Sequence, residues 1–151
     1  MQKLTIFLDI DGVLNTSDTA KKQKCLMDFA LVENFNNFLE KHDNIQIVVS
    51  SSWRYAMDDL KKELTEGGFR FWHLVVGKTP TYAILTTRGE QIRRYIDDNN
   101  IDTFLVIDDD IDDIVTDIHE VFIVKTHLTD GLAESVMRHL ENKIALMNVN
   151  V

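Results

Sequence analysis

The sequence has few of the residues that mark a disulfide-rich or membrane-spanning protein. Its 151 residues include one cysteine, one proline and six glycines. Because Cys25 has no second cysteine to pair with, an intramolecular disulfide is excluded and we expect a reducing, cytoplasmic environment. No stretch of about eighteen apolar residues is present, which argues against a membrane span. The start, MQKLTIFLDIDG, lacks the pattern of a secretory signal peptide.

Positive charge is also scarce. Sixteen Lys and Arg against 25 Asp and Glu give a net charge of −9. Tight, nonspecific binding to duplex nucleic acid needs many basic contacts to phosphates, so this balance argues against it. It does not exclude a small basic site for one phosphate. The length and the 44% apolar content predict one globular domain, residues 1–151, with a core that needs no disulfide.

Apolar runs alternate with helical patterns along the chain, which is typical of an α/β domain with a parallel sheet. The first run is apolar almost without alternation, as in a strand buried on both faces. The predicted strands are Leu4–Ile10, Ile45–Val49, Phe71–Val76, Thr103–Ile107 and Val121–Val124. The predicted helices are Phe29–Leu39, Ala56–Glu66, Glu90–Asp98 and Leu132–Met147, the last with Thr129 or Asp130 as its N-cap.

Polar residues follow three of the predicted strands. Asp9 and Asp11 end the first strand, Ser50 follows the second, and an acidic run begins at Asp108 after a later one. Ligands of open parallel sheets bind outside the carboxyl ends of the strands. The sequence therefore predicts a site in which carboxylates and a hydroxyl from separate strands meet.

The acidic residues of this site suit a hard cation. Asp9 and Asp11 are two apart, so on a regular strand they share a face, and Gly12 allows the chain to turn away. Crowded carboxylates repel one another, and oxygen-rich sites of this kind suit Mg²⁺. At the second strand end, Asp112 and Asp113 are expected to open the next helix, where its dipole favours acids.

These motifs resemble those of a known family. LDIDGVLN, Ser50 after IQIVV, Arg88 opening a helix, and VIDDD are similar to the haloacid dehalogenase (HAD) superfamily of phosphatases. SSSWR, GKTP, RGEQI and VIDDDID resemble more narrowly the HAD domain of Swiss army knife RNA-repair proteins, between Leu4 and about Leu132. The resemblance implies a Rossmann-like α/β fold with helices on both faces of the sheet. It also implies a central strand order of 5-4-1-2-3 and Mg²⁺-dependent phosphoryl transfer.

The resemblance also implies roles for individual residues. Asp9 would be the nucleophile that forms an aspartyl-phosphate, and Asp11 the general acid and base. Ser50 would hydrogen-bond the transferred phosphoryl group. Arg88 would neutralise its oxygens, at a position where the family more often has Lys.

The implied metal site draws on the same residues. Asp108 would ligate Mg²⁺ together with Asp9 and the backbone carbonyl of Asp11. Asp109 would assist, or would itself be the direct ligand, because three consecutive aspartates leave the register open.

Several nearby residues have two open interpretations. Arg54 is a substrate-binding candidate beside the crevice or part of a surface salt bridge. Trp53 stacks on a nucleobase or packs over the sheet edge. Ser51 and Ser52 are expected to bond the following turn. Four lysines either approach the site or are solvated: Lys21, Lys22, Lys24 and Lys78.

The segments after the first strand and before Arg88 are short, so we expect little or no cap domain over the site. An open site favours a large or end-presented phosphomonoester, such as a nucleic-acid or nucleotide phosphate end, over a buried small molecule. A small phosphoester is the alternative substrate. Two other classes stay open, a receiver-like signalling domain and a non-catalytic binding module that has kept the fold.

Overall fold

The computed structural model describes residues 3–82, 84, 87–149 and 151. Within them, five parallel strands form one sheet in the order β3-β2-β1-β4-β5. The strands are β1 (Leu4–Leu8), β2 (Ile45–Val49), β3 (Val75–Lys78), β4 (Phe104–Asp108) and β5 (Ile123–Lys125). The predicted α/β class and the order 5-4-1-2-3 are confirmed.

Helices cover both faces of this sheet. They are α1 (Thr19–Lys22), α2 (Phe29–Lys41), α3 (Met57–Glu66), α4 (Arg88–Asn99) and α5 (Glu134–Met147). Short 3-10 turns lie at Ser52–Tyr55, Trp72–Leu74 and Glu120–Phe122. The connection from β1 to α2 contains only the single turn of α1, as expected for a site without a folded cap. No helix in the described residues is long and apolar enough to cross a bilayer.

The two faces of the sheet bury different cores. Side chains of β1 alternate between them, since Ile6 and Leu8 join the cluster packed under α2, α3 and α5, whereas Phe7 joins the cluster under α4. The α4 face also receives Ile114 and Ile118, which follow the acidic run. This alternation fixes which strand-end side chains point toward the N-terminus of α4.

Several predicted boundaries differ from those in the structure by two or more residues, and two of them have clear local reasons. The third strand begins later than predicted, because Trp72–Leu74 form a 3-10 turn in which the Leu74 N–H donates to the Phe71 carbonyl. Helix α5 begins at Glu134, two residues after the predicted Leu132, and its N-cap is Ala133 rather than Thr129 or Asp130. Residues 127–131 form a turn that ends in Gly131 at a φ of +57°, a left-handed conformation that interrupts a helix.

The helix expected at Asp112 and Asp113 does not form. Residues 112–117 are a series of turns, in which the Ile114 and Val115 N–H groups donate to the Ile111 carbonyl. β-branched residues are frequent in this segment and reduce helix propensity. The Asp113 side chain and carbonyl are instead engaged by the first turn of α4.

Candidate active site

Four polar side chains lie in register across the carboxyl edge of the sheet. The ladder continues one residue past the strands, because Asp9, Ser50 and Thr79 donate their N–H groups to the Ile107, Leu8 and Val49 carbonyls. Leu8 pairs with Val49 and Ile107, and Val49 pairs with Lys78. The next row is therefore Thr79, Ser50, Asp9 and Asp108. All four are buried, and they share the α4 face.

Two hydroxyls in this row have no hydrogen-bond partner among the described residues. The Oγ of Ser50 and the Oγ1 of Thr79 are both buried and unpaired. A buried hydroxyl without a partner is costly, so such a group marks a position where a ligand or water belongs. The structure thus places the predicted phosphoryl-binding Ser50 directly beside Asp9, with a free hydroxyl.

The carboxylates of Asp9, Asp108 and Asp109 form a compact cluster. One oxygen from each lies within 4.8 Å of the others. Asp109 reaches this position because Gly12 leaves room for it, since a side chain at Gly12 would collide with the Asp109 carboxylate. Gly12 also has a φ of +78°, so the turn after β1 favours glycine for two reasons.

Arg88, the first residue of α4, reaches into the cluster. Its Nη1 donates to the Asp108 Oδ2 at 2.7 Å and lies 3.5 Å from the Asp9 Oδ1. A capping box between Thr87 and Glu90 fixes the start of α4, and the Arg88 N–H donates to the Asp113 Oδ2 at 2.9 Å. The helix start therefore holds the guanidinium over the carboxylates.

Burial and charge crowding alter the protonation of this cluster. Burial, with the neighbouring Asp108 carboxylate, raises the pKa of Asp9 to about 8. Burial also raises the pKa of Asp108, although Arg88 opposes the change. Burial acts to lower the pKa of Arg88, but the Asp108 and Asp9 carboxylates raise it overall. One guanidinium does not balance three ionised carboxylates, so a further cation would be needed to keep all three ionised at neutral pH.

Asp11 lies apart from the carboxylate cluster, on the exposed rim of the same cavity. Its Oδ1 accepts from the Asn15 Nδ2 at 2.8 Å, and its Oδ2 accepts from the Trp53 Nε1 at 3.2 Å. Trp53 also packs half-buried against the core under α2, α3 and α5. The expected packing of Trp53 is thus observed, together with a hydrogen bond that the sequence did not indicate.

The cavity over the cluster has a volume of about 320 Å³. Its walls are Asp9, Asp11, Ser52, Arg88, Asp109, Asp110, Asp113 and Leu128. Ser52 lines it with an exposed side chain, whereas Ser51 caps the following 3-10 turn as expected. A larger cavity of about 420 Å³ lies between α2 and α5, but it contains none of the strand-end row.

Other predicted residues lie outside this cavity wall. Arg54 is buried and donates from Nη1 to the Ser51 carbonyl, and no salt bridge to it is found in the described part of the chain, so the surface salt-bridge interpretation is wrong. Its Nε has no partner there either. The Lys78 ammonium donates to the Arg54 carbonyl at 3.0 Å. Lys21, Lys22 and Lys24 are exposed, and Lys21 pairs with Asp18.

The chemistry of these donors fits a divalent cation. Mg²⁺ prefers carboxylate oxygens and needs only one or two of them. Asp108 already has both oxygens engaged, by Arg88 and by the Asp110 N–H. Asp109 is half-exposed and lines the cavity, so it and Asp9 are the more available ligands. The Asp11 carboxylate is not part of the cluster.

A five-stranded parallel sheet in this order, with carboxylates after β1 and β4, defines the class of HAD-like domains. The sequence model of HAD domains in Swiss Army Knife RNA repair proteins matches residues 5–137. The chain therefore belongs to this family of HAD domains. No significant match to a curated protein or to a solved structure was found.

Proposed function

We propose that the protein is a Mg²⁺-dependent phosphomonoester hydrolase that works through an aspartyl-phosphate on Asp9. The observation that carries this proposal is the in-register row in which Asp9 lies between Asp108 and the unpaired hydroxyl of Ser50. In this proposal Asp9 would be the nucleophile, Ser50 the phosphoryl-binding hydroxyl and Asp108 a cation-binding carboxylate at the same sheet edge. Membership of a HAD family supports the same chemistry.

In the first step, an Asp9 carboxylate oxygen attacks phosphorus. The bond between phosphorus and the leaving oxygen breaks, and that oxygen takes the electron pair and a proton from Asp11. Ser50 and Arg88 hydrogen-bond the phosphoryl oxygens, whose negative charge must be stabilised in the transition state.

In the second step, water replaces Asp9. Asp11, now ionised, takes a proton from the water as its oxygen attacks phosphorus, and the bond from phosphorus to the Asp9 oxygen breaks. Inorganic phosphate leaves and the Asp9 carboxylate is restored. This step requires a base beside an open water path, and Asp11 lies on the exposed rim.

Asp9 and Asp109 would hold the Mg²⁺, with Asp108 and the Asp11 carbonyl completing the protein ligands. Bound there, the ion neutralises carboxylate and phosphoryl charge, which allows a phosphate to approach an acidic protein. Arg88 supplies the same kind of neutralisation from the chain itself.

The open cavity favours a phosphate at the end of a larger molecule, such as an RNA, DNA or nucleotide end. The family's occurrence in RNA repair proteins supports this substrate class. A reducing, cytoplasmic location belongs to the same proposal and is supported by the single Cys25. A receiver domain is disfavoured, because receivers have the sheet order 2-1-3-4-5, whereas the order here is 3-2-1-4-5.

The test is turnover of p-nitrophenyl phosphate with and without Mg²⁺, followed by a panel of RNA and DNA ends with 3′- or 5′-phosphates, nucleotides and sugar phosphates. We expect steady release of phosphate that stops on chelation, and the highest kcat/KM for a nucleic-acid or nucleotide end. Absence of turnover on every substrate would favour a non-catalytic binding module.

A further inference from the structure

Asp11 accepts hydrogen bonds from two side chains, one close to it in the sequence and one distant. Asn15 lies four residues after it, whereas Trp53 lies 42 residues away, in the 3-10 turn after β2. The two donors occupy opposite carboxylate oxygens. An exposed aspartate with free oxygens samples several side-chain rotamers, so two donors from different elements restrict it to one position.

Asn15 is itself fixed. Its Oδ1 accepts from the Gly12 N–H at 3.0 Å, and its Nδ2 also donates to the Leu26 carbonyl at 3.2 Å. Because the oxygen must face the Gly12 N–H, the amide nitrogen must face Asp11. The β1 turn therefore supplies a rigid donor to one oxygen.

Trp53 is fixed from the other side. Its N–H is capped by the Ser51 Oγ at 3.2 Å, its carbonyl accepts from the Ala56 N–H, and its ring packs against the large core. The indole is thus held in one position by the turn and the core, and its Nε1–H donates to the Asp11 Oδ2.

We propose that Trp53 is a positioning residue for Asp11, holding the carboxylate at the orientation from which it exchanges protons with the substrate and with water. This inference rests on the proposed function. Hydrogen bonds to an exposed carboxylate contribute little to stability, since water competes for them. Small displacements of a catalytic group have large effects on rate, and orientation is therefore what this contact supplies.

The experiment compares Trp53→Phe with Trp72→Phe. Both tryptophans pack half-buried against the same core, but among the described residues no hydrogen bond joins Trp72 to Asp11, so the second variant controls for loss of an indole. For Trp53→Phe we expect kcat/KM, which reports the step in which the leaving group departs, to fall about tenfold on an alkyl phosphate and less than threefold on p-nitrophenyl phosphate, whose leaving group needs little protonation. Trp72→Phe should affect both substrates equally and weakly.

Equal losses on the two substrates, or no loss, would overturn the positioning role. If Trp53→Phe fails to fold, Asn15→Ala provides the same comparison, with the same selective loss expected. A second measurement needs no turnover. In ¹H–¹⁵N spectra, Asp11→Ala should move the indole N–H signal of Trp53 and leave that of Trp72 in place, and an unmoved Trp53 signal would overturn the inference.

Wild-type protein that hydrolyses no substrate of the panel described under the proposed function would overturn that function and, with it, the catalytic purpose of the contact. The indole signals would then still show whether Trp53 binds Asp11, so the two failures are distinguishable.

Discussion

The buried end of the cavity and its exposed rim give two neighbouring aspartates, Asp9 and Asp11, opposite environments. Asp9 is 4% exposed, lies among charged groups and has a pKa raised to about 8 by burial and Asp108. Asp11, two residues later, is exposed and accepts from two neutral donors. This difference in environment is consistent with the two proposed roles, a nucleophile beside a cation at the buried end and a proton carrier open to water at the rim.

The largest effect is expected at the buried end. Asp9→Asn keeps the shape of the side chain but removes the nucleophile, so kcat should fall by at least about a thousandfold. The protein should remain folded, because the change removes one charge from a repulsive cluster. Phosphate release and a thermal melt measure both effects, with exposed Asp112→Asn as the matched control. A folded Asp9→Asn protein with full activity would rule out the covalent mechanism.

Substitution of Asp11 at the rim should lower activity by an amount that depends on the leaving group of the substrate. Asp11→Asn removes the acid and base, so turnover of an alkyl phosphate should fall about a hundredfold or more. The kcat/KM for p-nitrophenyl phosphate should fall less, because its leaving group departs without a proton, whereas slow hydrolysis of the phosphoenzyme lowers kcat for both substrates. Values of kcat/KM measured for both substrates with wild-type and Asp11→Asn protein give the ratio of the two losses. Identical losses of kcat/KM on the two substrates would contradict the proposed role of Asp11 as the acid at the rim.

The Mg²⁺ dependence of activity should distinguish Asp109 from Asp112, two aspartates of the acidic run at the end of β4. Asp109→Ala should raise the Mg²⁺ concentration for half-maximal activity about tenfold, since Asp109 lines the cavity and belongs to the carboxylate cluster. Asp112→Ala should change it less than about twofold, because Asp112 is exposed and outside that cluster. A Mg²⁺ titration of both variants decides the point. A larger change for Asp112→Ala would show that the ligands are assigned in the wrong register.

The smallest expected effect is on stability. The pKa of Asp9 is raised from its ordinary value of 3.8 to about 8, so the folded state binds a proton that the unfolded state releases. The contribution of Asp9 to stability is therefore present below about pH 4 and is lost as the pH rises toward about 8. Asp9→Asn should accordingly raise the Tm more at pH 8 than at pH 5.

The gain in Tm should be at least several degrees larger at pH 8 than at pH 5, because the raised pKa of Asp9 disfavours the folded state more as the pH rises. Melts in EDTA measure it, with Asp112→Asn as the control. A Tm gain that is the same at both pH values would mean that the pKa of Asp9 is not raised by its surroundings.

The sequence was sufficient to predict the five strands approximately and the polar residues that follow β1, β2 and β4. Apolar runs marked β1, β2 and β4, and polar residues directly after such runs had to meet at the carboxyl edge of a parallel sheet. Asp9 and Asp108 followed from that rule alone, and the motif resemblance added Arg88, which the structure brings to both carboxylates.

Contacts between distant or irregular segments could not be predicted. The Trp53 hydrogen bond to Asp11 depends on how the turn after β2 folds over the turn after β1. The binding of Asp113 to the start of α4 depends on a turn segment where a helix was expected. Neither contact has a periodic pattern or a fixed spacing in the sequence.

The central claim is that Asp9 becomes phosphorylated, and the most direct test is to trap it. Asp11→Asn protein is mixed with p-nitrophenyl phosphate and Mg²⁺, quenched in acid within the first turnover, digested and analysed by mass spectrometry. We predict one added phosphoryl group on the peptide that contains Asp9, and none in the Asp9→Asn, Asp11→Asn double variant. Turnover without this adduct, or an adduct on another residue, would contradict the account.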